Sequence, residues 1–191
     1  MAEMILAQSL EDIEDAIVAA LQADAVIAAY AKSVVPFQGT LADAAREVAL
    51  RDPAFIVLFG GAAGETQALG DQLDQQWMVV VRTRNLRSNK AGRGGATGEV
   101  GSYQMVQDAL RVLSRSDLSL DGVGPLRIRE VELVQAGQVK DRAVSMYQLV
   151  FAQLVDLVPA PATNDFDGAS GTLEVRNDRT DTWKEVVEVE V

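Results

Sequence analysis

The stretch that most constrains this chain is Val144–Leu157. Val144, Met146, Gln148, Val150 and Ala152 fall on one side of an extended chain, and Tyr147, Leu149 and Phe151 on the other. A period of two predicts a strand. The same region, around Val144 to Val158, is the longest apolar run, and Gln148, Gln153 and Asp156 interrupt it before it reaches the roughly 20 residues that cross a bilayer. Ile128–Gln135 alternates as well: Ile128, Val131 and Leu133 sit among Arg129, Glu130 and Glu132, with a one-residue slip at Arg129-Glu130 that predicts a bulge. The two stretches read as a hairpin across Ala136–Arg142.

Upstream, Phe55–Phe59 is a continuous apolar run stopped by Gly60-Gly61, which predicts a buried strand. Trp77–Leu86 predicts another, with Met78–Val81 buried and Arg82-Thr83-Arg84 at its polar end; the small and polar residues between the two read as a loop joining antiparallel neighbours. Lys32–Pro36 reads as an edge strand or extended link. Three helices are predicted. Ser9 caps the first, which carries Ile13, Ala16, Ile17, Ala20 and Leu21 to Ala23 and on toward Tyr30. Thr40 with Asp43 opens a second, running to Arg51 before Asp52-Pro53. Ser102 caps a third, Tyr103–Arg115, with Met105, Val106, Ala109, Leu110 and Leu113 on one face. The fold class is therefore α/β (α+β): an antiparallel or mixed sheet of about four strands flanked by helices.

With 191 residues, 48% of them apolar, the chain suits one domain with a substantial core and a small appendage. We place that domain at 1–158. Pro159-Ala160-Pro161 and Asn164–Gly171 make 159–171 a linker by composition. In 172–191, Thr172–Arg176 and Thr182–Val191 flank Asn177-Asp178-Arg179, which predicts a C-terminal β-hairpin. Two strands are marginal alone, so the hairpin is expected to pack on its own subunit or on a neighbour, with Trp183, Val187 and Val189 as contact residues. Met1–Ala7 lacks the basic residues that open an export signal.

Cysteine and histidine are both absent, which removes disulfides, thiol nucleophiles, Ser-His-Asp and Cys-His machinery and almost every zinc site. Carboxylate pairs, Lys, Tyr and carboxylate-held Mg²⁺ remain. Asp71 with Asp74, and Glu130 with Glu132, are such pairs, and spacing brings no third ligand near them. Asp165, Asp167, Gly168 and Glu174 fall at calcium-loop positions, but Thr163 replaces the first carboxylate and Pro159 and Pro161 forbid the entering helix. Phe59–Gly64 follows a strand as phosphate loops do, yet no apolar-periodic helix begins at Gly64 and no Gly-Lys-Ser or Gly-Lys-Thr occurs. Gly92–Gly98 is the better anion candidate, since it leads toward the third helix. Trp77 and Trp183 read as packing residues. No catalytic residue, metal ligand or cofactor follows from the sequence, and no enzyme is expected.

The net charge of −11 argues against general affinity for nucleic acid. Its distribution is uneven: residues 1–81 carry −9, residues 82–160 carry +3 and residues 161–191 carry −5. An acidic first half and a mildly basic middle suit head-to-tail contact between identical subunits, although solvated surface charge gives the same pattern. Arg87–Gly101 is Gly-rich, basic, without periodicity and long for a loop, which points to a mobile functional segment. Arg82, Arg84, Arg87, Lys90 and Arg93 spread along an extended basic arm that runs into it and are the candidate subunit or tube contacts, with a solvated loop as the alternative.

Several ordered stretches carry a resemblance. Glu11–Ile17, Val34-Val35-Pro36-Phe37, Pro53–Gly61, Trp77–Arg87, Gly98–Gln104 and Ser145–Phe151 make the chain similar, over roughly residues 5–155, to the small tail terminator proteins of Mu-like contractile phages. The terminal hairpin after Pro159 departs from that pattern. The resemblance implies a hexameric ring on the head-proximal end of the tail, built in the host cytoplasm and carried in the virion. It implies that the ring stops growth of the tube and any sheath and docks the neck and head-completion proteins, with DNA passing through without sequence-specific binding and no membrane partner. The rival readings are another neck or connector component, a small Mg²⁺- or nucleotide-dependent enzyme using Gly92–Gly98, and a peripheral module whose hairpin recognises a partner strand.

Overall fold

The structure is a computed structural model of the chain and describes residues 4–39, 43, 51–62, 72–84, 93–95, 99–134, 144–160, 174–176 and 183–185. Met4–Val158 makes one compact unit. Its strands are β1 (Met4–Leu6), β2 (Ser33–Pro36), β3 (Ala54–Ala62), β4 (Gln72–Arg84), β5 (Arg127–Leu133) and β6 (Val144–Pro159). Its helices are α1 (Leu10–Ala23), α2 (Ala25–Ala28) and α3 (Ser102–Leu113). The strands form one mixed sheet in the order β1-β6-β4-β3-β2, with β5 also paired to β6. β2 runs parallel to β3; the β3-β4, β4-β6 and β5-β6 pairs are antiparallel. The α+β class with a mixed sheet is as the sequence led us to expect, with six strands in place of about four. In the other unit, β7 (Glu174–Arg176) and β8 (Trp183–Glu185) pair antiparallel.

One sheet face is covered by helices. Ile13, Ile17, Val18 and Leu21 of α1 and Met105, Ala109 and Leu113 of α3 share a core with Phe55, Val57, Trp77, Val79, Val81, Leu149, Phe151 and Val155. Each large side chain buried there contributes about 1.5–3 kcal/mol. The opposite face gathers a smaller cluster of Ile56, Leu58, Val80, Met146 and Val134.

Local chemistry sets the helix ends. Ser9 Oγ accepts the Asp12 amide at 3.0 Å and starts α1. Asp24 then stops it, because its carboxylate accepts the Val26 and Ile27 amides, each at 3.0 Å, and opens α2. The expected continuation toward Tyr30 is thus a break and a new short helix. Ser102 is the first residue of α3 rather than its cap. Gly101 takes the cap position, and the Ser102 hydroxyl lies 3.0 Å from Ser145 Oγ on β6. The second expected helix, Thr40–Arg51, lies outside the described residues apart from Asp43, which is helical, and Arg51.

Two strands are longer than expected. β3 continues through Gly60-Gly61 to Ala62, with a register shift between Phe59 and Gly61 where it passes Gln76. β4 begins at Gln72 instead of Trp77, because Leu73, Gln75 and Trp77 lie opposite Val155, Gln153 and Phe151 of β6. The bulge expected at Arg129-Glu130 is present as the shift between Ile128 and Glu130.

Candidate assembly surfaces

At the exit of β4, Arg82 and Arg84 lie two residues apart on one sheet face and have different environments. Arg82 pairs with Ala54 of β3, and Asp52 stands just before that strand. Its guanidinium Nε reaches Asp52 Oδ1 at 3.3 Å, and the residue is 6% exposed. Arg82 therefore belongs to the interior of the subunit. Arg84, opposite Val144 at the strand's end, is exposed, as is Arg93. Arg87, Lys90, Val187 and Val189 lie outside the described residues, and Trp183 is placed by its backbone in β8.

The glycine-rich candidates differ from phosphate loops. Gly60 and Gly61 lie within β3. At Gly95, φ +80°, an added Cβ would stand 2.6 Å from the Glu99 carbonyl oxygen. A Cβ on Gly101 would strike the backbone of Arg93 and Gly95. Arg93–Gly95 thus packs its backbone directly on the start of α3, with the Glu99 carbonyl oxygen and the Gly101 amide nitrogen against Gly95. The calcium-like stretch Thr163–Gly168 lies outside the described residues. Among the described residues, no three Asp, Glu, His or Cys gather to hold a metal.

The two ends of the sheet are finished differently. Beyond β2, the Val34 carbonyl accepts from Gln22 Nε2 at 3.0 Å, and Pro36 has no N–H to offer. The neighbouring amides, Lys32 and Phe37, donate to Pro53 and Val57 at 2.9 and 2.8 Å. The outward side of β2 thus has one carbonyl taken and a proline in place of an amide, which blunts that edge against further strands. β5 is exposed along its whole length, and among the described residues its strand partner is β6 alone. The bulge sorts its side chains: Ile128, Val131 and Leu133 lie opposite Phe151, Leu149 and Tyr147, on the helix-covered face, at 40, 43 and 53% exposure. Arg127, Glu130 and Glu132 lie on the other. The Glu130 carboxyl is raised by its hydrogen bond to Glu132 and by that neighbour's charge. Gln148 Nε2 donates to Glu132 at 2.8 Å, and Arg129 Nη2 lies 3.7 Å from Asp74.

Between these edges two polar clusters tie the helices down. Arg111 of α3 donates to both Asp24 oxygens at 2.8 Å and lies 3.5 Å from Asp108, which accepts from Tyr30 Oη at 3.0 Å. Burial and that carboxylate push the Tyr30 hydroxyl up. Tyr103 of α3 tilts against Tyr147 of β6 at 5.7 Å, and burial with the Tyr103 hydrogen bond pushes Tyr147 up to about 12. The sequence reading missed the Asp24 cluster, although Asp24 before Ala25 carries a cap signal. It also missed the exposure of β5, whose apolar alternation resembles that of a buried strand.

Residues 9–154 match the family model described as Bacteriophage Mu, Gp37. The chain belongs to this family. The matched span of the Gp37 family runs from the α1 cap to Leu154 in β6, taking in α1, α2 and α3 and both the β2 and the β5 side of the sheet. The resemblance to a Mu-like phage family read from the sequence is borne out. A solved chain from the virion of a native gene transfer agent (GTA) particle is similar at 20% identity and a TM-score of 0.45, covering 75% of this chain and 94% of that one. No curated protein matches.

Proposed function

We propose that this phage structural protein is a tail terminator, a ring, hexameric by resemblance, that caps the head-proximal end of the tail. The observation that carries the reading is the Gp37 family match over residues 9–154, which takes in most of the Met4–Val158 unit. The action is capping by fit. Each subunit buries its flanks against two copies of itself, one ring face matches the last tube ring, and the other does not, so polymerisation of tube and sheath stops. The outer face is left for the neck and head-completion proteins. The exposed Arg84 and Arg93, with Arg87 and Lys90 between them in sequence, are the proposed tube or subunit contacts. DNA passes through the ring, and the net charge of −11 disfavours its retention there. The action requires no cofactor and no bond-making step.

The test is removal of the protein from the phage. Overlong or headless tails are expected by electron microscopy, and tails of normal length on complete particles would end the terminator reading. Labelling that finds the protein at the portal, away from the tail's last ring, would move it to another neck component. Replacing Arg84, Arg87 and Arg93 with Glu is expected to leave a folded subunit that no longer caps.

A further inference from the structure

The open edge has a sequence suited to its own copy. Reading along β5, Arg127, Ile128 and Arg129 are followed by Glu130, Val131 and Glu132, so the strand is basic in its first half and acidic in its second, with an apolar residue inside each. Reversing the direction exchanges the halves. We infer that two copies of this chain pair through β5, antiparallel and about a two-fold axis, so that their sheets join edge to edge.

The bulge makes the register specific. Because Arg129 is the extra residue, Arg127, Glu130 and Glu132 share one face and Ile128, Val131 and Leu133 the other. The offset that sets Arg127 against the second copy's Glu132 also sets Ile128 against Val131 and Arg129 against Glu130. Arg127 with Glu132 and Ile128 with Val131 then each lie on a common face, Arg129 meets Glu130 at the centre while its guanidinium lies 3.7 Å from Asp74 of its own subunit, and the two-fold axis repeats all three. Apolar residues exposed by 40 and 43% meet each other, and opposite charges meet directly across the strands. Within one strand Glu130 and Glu132 crowd each other, which the facing arginines relieve. β2, on the other side of the sheet, is blunted by Gln22 and Pro36.

A two-fold contact is complete with two members and cannot grow into a ring or filament. Such a pair holds the free subunit in a form whose open edge is hidden from uncontrolled strand addition until assembly. The inference goes beyond the terminator reading and stands or falls without it.

Sedimentation of the full chain across the micromolar range tests it, using R127E/R129E, E130R/E132R and an equal mixture of the two. In each variant alone every opposed charge pair becomes like-charged, and pairing is expected to weaken at least about tenfold. In the mixture every pair is again opposite, and a heterodimer is expected, identified by native mass spectrometry with one variant isotope-labelled. Circular dichroism confirms that each variant is folded; should one fail to fold, Ile128→Asn and Val131→Asn are read in the same way as losses of pairing. A wild-type chain monomeric throughout the range would overturn the inference. So would variants that pair as the wild type does, or a mixture of folded variants without rescue, the last indicating that β5 meets a different surface.

Discussion

Of the three strands paired with β6, β4 and β5 have opposite fates. On one side β4 is paired from Gln72 to Arg84, with Trp77, Val79, Val80, Val81, Arg82 and Thr83 all buried. On the other, β5 is paired over Arg127–Leu133 with the same antiparallel geometry, and every residue is exposed. Backbone pairing is common to both, so pairing does not decide burial. Coverage does: α1 and α3 pack over the β3, β4 and β6 core, and β5 lies past their reach while still carrying apolar residues on that face. The side that is finished within the subunit supplies stability, and the unfinished side is available for assembly.

The sharpest way to break this contrast is at Arg82. The side chains of Arg82 and Asp52 are 7 and 12% exposed, so removing one takes a counter-charge from the other where little water reaches it. Arg82→Ala is expected to cost about 3–5 kcal/mol in urea unfolding. Arg84→Ala, two residues along the same strand and exposed, should change stability by no more than about 0.5 kcal/mol. Equal effects at the two positions would show that the end of β4 is not divided between interior and surface as described.

A smaller effect of opposite sign is expected at the other end of β4. Gln75 and Gln153 face each other on the helix-covered side at 0 and 1% exposure, and Gln153 donates to the Gly124 carbonyl at 2.9 Å. No hydrogen bond engages either amide atom of Gln75, so the group bears its desolvation cost. Gln75→Leu keeps the length of the side chain and removes the polar atoms. A gain of about 1 kcal/mol in chemical denaturation is expected, and a loss of that size would mean that the glutamine amide is satisfied in solution.

These positions also mark how far the sequence could be read. Alternation located β6, β5 and the bulge between them, and the Ser9 cap located α1, since each signal is local. Gln72–Gln76 looked like a loop because glutamine and aspartate are poor strand formers; only the matching half of β6, some 80 residues away, makes them a strand. β1 gave no signal in its three residues. Among the interface candidates, spacing grouped Arg82 with Arg84. What separates them is Asp52, brought beside Arg82 by the β3-β4 register and invisible to any local pattern. The exposure of Ile128, Val131 and Leu133 was unreadable for the same reason: it depends on where the helices end.

The finest probe of the comparison is the bond that keeps the helix layer over β4 and β6. Asp24 sits between α1 and α2 and receives both ends of the Arg111 guanidinium from α3. Those hydrogen bonds first, and the Ile27 amide next, hold its carboxyl well below the usual carboxylate range. A carboxyl with a depressed folded pKa stabilises fully above its unfolded value, about 3.9, and loses that stabilisation as pH falls below it toward the folded value. Asp24→Asn retains an acceptor for the α2 amides but no charge for Arg111 and no proton to gain. The wild-type melting temperature should therefore fall more steeply than that of the variant below about pH 4, and the two curves should converge in acid. Parallel curves from neutral pH to pH ~2 would mean that the Asp24–Arg111 pair does not hold α3 to the α1–α2 junction, and the boundary between covered and open sheet would need another cause.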